Sequence, residues 1–138
     1  MAILLSGDFH ANVKNEIEFI SESVLLKKFK ENLYEKINYQ IMLGDTGFLW
    51  PGNEEAEAKN YNELAKRPFP VLYVAGNHEP VLGRSDLPEV DIGIGEKAVL
   101  VNKEKPFIAY LKRGKIYTIE NYKFLVLGGA LSIDSVCL

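Results

Sequence analysis

Five side chains in this sequence, Asp8, His10, Asp45, Asn77 and His78, combine types and spacing that can do metal chemistry. Asp8 and His10 are two apart. In an extended segment, residues i and i+2 point the same way, so a carboxylate and an imidazole can approach one ion. That pairing suits Mn, Fe or Zn, whereas an all-oxygen set fits Mg or Ca better. Asp45 has two oxygens with which to bridge two ions, and Asn77 offers a neutral carbonyl oxygen to the second. His78, adjacent but on a different bearing, can serve as an acid or as a donor to a phosphoryl oxygen. Two ions about 3.5–4 Å apart that activate a water and neutralise charge on the transferred group are the equipment of phosphate-ester cleavage.

Taken singly, each group has an ordinary reading. A Gly-Asp pair after a strand is usually a turn in which Asp bonds the local backbone, and a lone histidine is usually a surface residue. The recurrence is what counts. Ala2 to Leu5 is an apolar run ended by Ser6-Gly7-Asp8; Ile41-Met42-Leu43 leads into Gly44-Asp45; and Val71 to Ala75 leads into Gly76-Asn77-His78. Runs of this kind, apolar at successive positions, predict short strands buried on both faces.

Helical patterns separate these strands. Ile17, Ile20, Val24, Leu25, Phe29, Leu33 and Ile37 recur at steps of three or four, with Ser21 and Ser23 marking a break into two shorter helices. Asn53 is placed to cap a helix running through Leu64, with Glu54, Glu55 and Glu57 at its positive end. Pro68 and Pro70 end it before the next strand. Alternating strands and helices predict a parallel sheet with crossover connections. The C-terminal ends of such strands lie along one edge, where open α/β sheets place ligands. Asp8, Asp45 and Asn77 are therefore expected in one crevice, although 37 residues (45 − 8) and 32 residues (77 − 45) separate them.

After His78 the pattern changes. Residues 80–96 have a loop-like composition rich in Gly, Pro and Asp. Phe107 to Leu111, Lys115 to Ile119 and Tyr122 to Leu127 then read as three short strands, with turns at Arg113-Gly114 and Glu120-Asn121. Such tight connections predict an antiparallel meander.

Composition narrows the class. A length of 138 residues is one domain's worth, and 47% hydrophobic with 25% charged is the balance of a folded soluble protein. Sixteen Lys plus Arg against 19 Asp plus Glu leave a net charge of −3, so no global field draws the chain to nucleic acid. Lys103, Lys105, Lys112, Arg113 and Lys115 leave a local basic track open, or simply solvate the meander. The lone Cys137 makes no internal disulfide, which is compatible with reducing surroundings and a cytoplasmic location. No apolar run approaches 18 residues, so membrane insertion is not expected.

At its polar strand ends the sequence resembles the calcineurin-like metallophosphoesterase family. The matching segments are Gly7-Asp8-Phe9-His10, Gly44-Asp45-Thr46-Gly47 and Gly76-Asn77-His78-Glu79. Residues Gly128 to Asp134 also resemble a stretch in a bacterial and phage branch of that family. The resemblance implies that Asp8 and His10 bind one metal, Asp45 bridges, and Asn77 binds the second. It implies that His78 protonates the leaving group or holds phosphoryl oxygens of a phosphomonoester or phosphodiester. Divalent Mn is the expected ion, with Fe or Zn as alternatives. The implied fold is an α/β/β/α sandwich, in which the meander begins the second sheet.

Two departures qualify this. Ala11 stands where the family usually has glycine. Family members also continue with another histidine and a Gly-His-x-His segment, whereas the only histidines here are His10 and His78. The expectation is a single truncated domain over 1–138, an incomplete sandwich with weak or no hydrolysis. The alternatives are a fragment of a longer phosphoesterase, or a non-catalytic metal-binding or interaction protein. Self-association that covers exposed sheet edges is also expected.

Overall fold

Short apolar runs make the central strands because they can be buried on both sides, and the helices and a hairpin cover the two faces. The computed structural model describes residues 2–7, 13–47, 53–76, 86–102 and 106–128. The elements in chain order are β1 (Ala2–Ser6), α1 (Val13–Phe19), α2 (Glu22–Phe29), β2 (Ile37–Leu43), α3 (Glu54–Leu64), β3 (Val71–Val74), β4 (Glu89–Val90), β5 (Ala98–Asn102), β6 (Ile108–Tyr110), β7 (Ile116–Ile119) and β8 (Tyr122–Leu125). A 3-10 turn over Tyr34–Lys36 leads into β2.

Six strands form one sheet in the order β1-β2-β3-β6-β5-β4. β1, β2, β3 and β6 run parallel to one another, while β5 is antiparallel to β6 and β4 to β5. The period of two along each strand separates two cores. Met42, Tyr73 and Tyr110 form a row on one face, packed with Tyr61 and Leu64 of α3 and with Ile17 of α1. Ile41, Leu72 and Ala109 form the row on the other, packed with Tyr117, Ile119 and Val126 of the β7–β8 region. β7 and β8 pair as a separate antiparallel sheet. The result is helices, mixed sheet and hairpin in layers, the α/β arrangement of mostly parallel strands followed by antiparallel ones.

Local chemistry sets the helix ends. The Ala56 N–H donates to Asn53 Oδ1 at 3.2 Å, so Asn53 caps α3 and the helix runs to Leu64 as its sequence predicts. The break near Ser21 is also real: Ser21 caps α2, accepting from the Val24 N–H. That helix stops at Lys30, in the left-handed region at φ 58°.

Four segments depart from the expected pattern, the first being Glu89–Val90, which forms β4 beside β5 within the loop-like stretch 80–96. The helical period does not continue through Leu33 and Ile37, because Ile37 begins β2 and pairs with Ala2. β5, over Ala98–Asn102, is an additional strand that inserts beside β6. The first strand of the expected meander leaves it, since β6 lies parallel to β3 with Val71 opposite Ile108. Only β7 and β8 form the hairpin. β6 is buried along its whole length, whereas β7 alternates exposed and buried residues, so only β6 fits a sheet covered on both sides. No described helix is long and apolar enough to cross a membrane.

Candidate metal centre

The strands β1, β2 and β3 are adjacent and parallel, so their C-terminal ends share one edge of the sheet. β2 is the middle one, and Asp45 lies two residues beyond its last residue, Leu43. A carboxylate at this place has the end of β1 on one side and the end of β3 on the other. That is the placement a bridging ligand requires.

The strand ends meet closely enough to exclude side chains. A Cβ on Gly7 would lie 2.8 Å from the Leu43 carbonyl oxygen, which brings the end of β1 against that of β2. Gly44 adopts φ +78°, and a Cβ there would sit 3.1 Å from the Gly76 Cα. On Gly76 a Cβ would fall on Asp45 itself, against Oδ1 and the backbone nitrogen. The Asp45 carboxylate thus folds over the end of β3 on a surface that only glycine leaves open.

Asp45 also has φ 49°, in the left-handed region that residues other than glycine seldom adopt. Asp is among the residues that tolerate it. Two consecutive left-handed residues, Gly44 and Asp45, bend the chain directly after β2, which keeps the carboxylate at the sheet edge. Thr46, next in the chain, is fully buried and anchors the turn.

Of the five side chains singled out in the sequence, Asp45 is described, while Asp8, His10, Asn77 and His78 lie outside the described residues. Gly7 and Gly76, which immediately precede Asp8 and Asn77, are described: Gly7 lies against Leu43 at the end of β2, and Gly76 against Asp45. Among the described residues no group of three or more His, Cys, Asp or Glu could hold an ion. The described part of the centre still fits a divalent metal in its chemistry: a carboxylate oxygen donor, on an open edge, over a glycine-lined cradle.

Beside this edge runs an open groove of about 530 Å³, lined by apolar side chains that include Leu5, Leu43, Val74, Phe124 and Leu127 and reaching Asp45 and Gly76. A cation also stands at this edge, unsignalled by the sequence pattern. Nη2 of Arg113, from the turn after β6, donates to the Gly76 carbonyl at 3.2 Å and lies 3.5 Å from that of Ala75. Its one local signal is its place in the turn after β6, a strand whose end lies on the same edge.

The family model for calcineurin-like phosphoesterases matches residues 1–138. The chain belongs to that family. No curated protein and no solved structure matches it. Calcineurin-like phosphoesterases are hydrolases that bind divalent metals.

Proposed function

We propose that this chain carries the β1–β3 part of a metal-dependent phosphoester hydrolase centre, with Asp45 shared between two divalent ions. The observation that supports it is the close approach of three adjacent parallel strand ends, Gly7 against Leu43, Gly44 against Gly76, and Gly76 against the Asp45 carboxylate. A turn aspartate with no role beyond its own backbone does not need three strand ends stripped of side chains. Asp8 and His10 are assigned to one ion and Asn77 to the other, with His78 holding a proton for the leaving oxygen or donating to a phosphoryl oxygen. Ions of the Mn, Fe or Zn class suit this mixture of carboxylate, amide and imidazole. When bound, they supply charge neutralisation and a water of lowered pKa. Asp45 keeps the spacing of the centre through its place on the turn after β2, and the open apolar groove lies on one side of it.

Within the 138 residues, His10 and His78 are the only imidazoles. The chain by itself holds the ions loosely, and a displacement of about 1 Å costs on the order of a hundredfold in rate. Slow turnover is therefore the expected property of these 138 residues alone. The test is hydrolysis of an aryl phosphate monoester and diester with Mn added, comparing the chain with Asp45→Ala and Asn77→Ala. Mn binding that is lost in Asp45→Ala, with turnover near background in all three, supports the proposal. Fast turnover removed by both substitutions overturns the slow-chain reading and leaves the centre standing. Mn binding unchanged in Asp45→Ala overturns the centre.

A further inference from the structure

The turn between β6 and β7 is held more firmly than a surface turn needs to be. The Leu111 N–H donates to the Tyr73 carbonyl at 2.8 Å, and the Gly114 N–H donates to the Val126 carbonyl at 2.8 Å. Between them, the Lys112 N–H donates to Tyr117 Oη at 2.9 Å, and that hydroxyl donates to the Lys97 carbonyl at 3.1 Å. These bonds tie the backbone on both sides of Arg113 to the main sheet, the hairpin and the loop before β5.

From that fixed base the Arg113 side chain reaches back to the end of β3, where it donates to the Gly76 carbonyl. Its path passes Gly128, just beyond β8. A Cβ on Gly128 would fall on the Arg113 guanidinium, so the absence of a side chain there opens the slot through which the arginine runs. Among the described residues no carboxylate forms an ion pair with Arg113. A solubilising arginine needs neither a cleared slot nor an inner carbonyl. Gly76 is in turn the residue against which the Asp45 carboxylate rests.

We propose that Arg113 is a positioning residue for the Asp45 centre. Its guanidinium holds the Gly76 carbonyl from outside the sheet, and Gly76 then forms the wall that sets the direction of the Asp45 carboxylate. Gly128 is required because the guanidinium occupies the place of its side chain. The inference rests on the reading of Asp45 as a metal ligand, and two measurements keep the two apart.

The first measurement is the amide resonances of Asp45 and Gly76 in the metal-free chain. The second is Mn affinity, read from the electron paramagnetic resonance signal of free Mn. The variants are Arg113→Ala, Arg113→Lys and Gly128→Ala, with Lys115→Ala as the control from the same hairpin. Arg113→Ala and Gly128→Ala are expected to shift both resonances and weaken Mn binding about tenfold, with the melting temperature within a few degrees of the parent. Arg113→Lys, whose ammonium can still donate to the Gly76 carbonyl, is expected to recover part of the affinity, and Lys115→Ala to change nothing. Unmoved Asp45 and Gly76 resonances in both Arg113→Ala and Gly128→Ala overturn the proposal. Shifted resonances in a parent chain that binds no Mn support the clamp and overturn the metal reading instead.

Discussion

The Asp45 carboxylate and backbone nitrogen occupy the space that a side chain on Gly76 would need. The smallest possible addition, Gly76→Ala, therefore cannot be absorbed by rotating a flexible side chain, because backbone is part of the obstacle. Overpacking of this kind costs about 1–3 kcal/mol. Urea unfolding is expected to show that loss, together with at least a tenfold drop in Mn affinity as the carboxylate is pushed off the end of β3. A Gly76→Ala chain with parent stability and parent affinity would mean that the two strand ends are not in contact.

Asp45 itself separates stability from function. At φ 49° a side chain carries a steric cost of roughly 1–2 kcal/mol that glycine avoids, lessened for Asp. Asp45→Gly and Asp45→Ala both remove the carboxylate, so their difference isolates the backbone. The glycine variant is expected to be the more stable of the two by about 1 kcal/mol, with Mn binding lost in both. Equal stabilities would show that the backbone relaxes out of the left-handed region when the carboxylate is gone.

Much of this arrangement could be read from residue order. Apolar runs stopped by Gly7, Gly44 and Gly76 predict three parallel strands with a common edge, and Asn53 predicts its helix, because both signals are local. β6 and β7 were harder. Arg113-Gly114 looks like a hairpin turn, yet the strand before it joins β3 across the sheet, with Ile108 opposite Val71. The distinguishing signal is in the side chains: Phe107 to Leu111 is apolar throughout, as a strand covered on both faces must be, while Lys115 to Ile119 is interrupted by Lys115 and Thr118. The role assigned to Arg113 had no local signal beyond its position, because it depends on Gly76 and Gly128, brought beside it only by the fold. Ile37 was ambiguous for another reason. It fits a helical step from Leu33 and equally the period of two that runs through Tyr39 and Ile41.

Arg67, α3's neighbour in the chain, is buried and donates through Nη1 to Oε1 of the fully buried Gln40. Gln40 Nε2 in turn donates to Ser6 Oγ at 2.8 Å, so a polar line crosses from the α3 side through β2 to β1. A hydrogen bond to a charged group contributes about 1.5–3 kcal/mol, and removing one partner leaves the buried charge short of an acceptor. Gln40→Leu is expected to lower stability by about 2–4 kcal/mol in urea unfolding. Ser6→Ala, which removes only a neutral acceptor near the strand end, is expected to cost about 1 kcal/mol. A smaller loss for Gln40→Leu than for Ser6→Ala would refute this ordering.

Tyr117 gives a prediction in pH. Burial pushes its phenol above the ordinary 10.0, opposed by the Lys112 backbone N–H that it accepts and by the charge of Lys112. The folded state therefore keeps the Tyr117 proton at a pH where the unfolded chain releases it. The unfolded state then binds fewer protons, and stability must fall as pH rises. The contribution is fully present below the unfolded value of about 10 and is lost as pH climbs toward the raised folded value. Tyr117→Phe removes both this titration and the two hydrogen bonds that tie the Arg113 turn to the loop before β5. At neutral pH the variant is expected to lose about 1 kcal/mol, since the partly buried Lys112 N–H and Lys97 carbonyl lose their partner. Above pH 10 its stability should decline less steeply than the parent's, so that the two curves converge. Urea midpoints measured between pH 7 and 11 decide the matter: parallel curves would show that Tyr117 ionises with equal ease in the folded and unfolded chain.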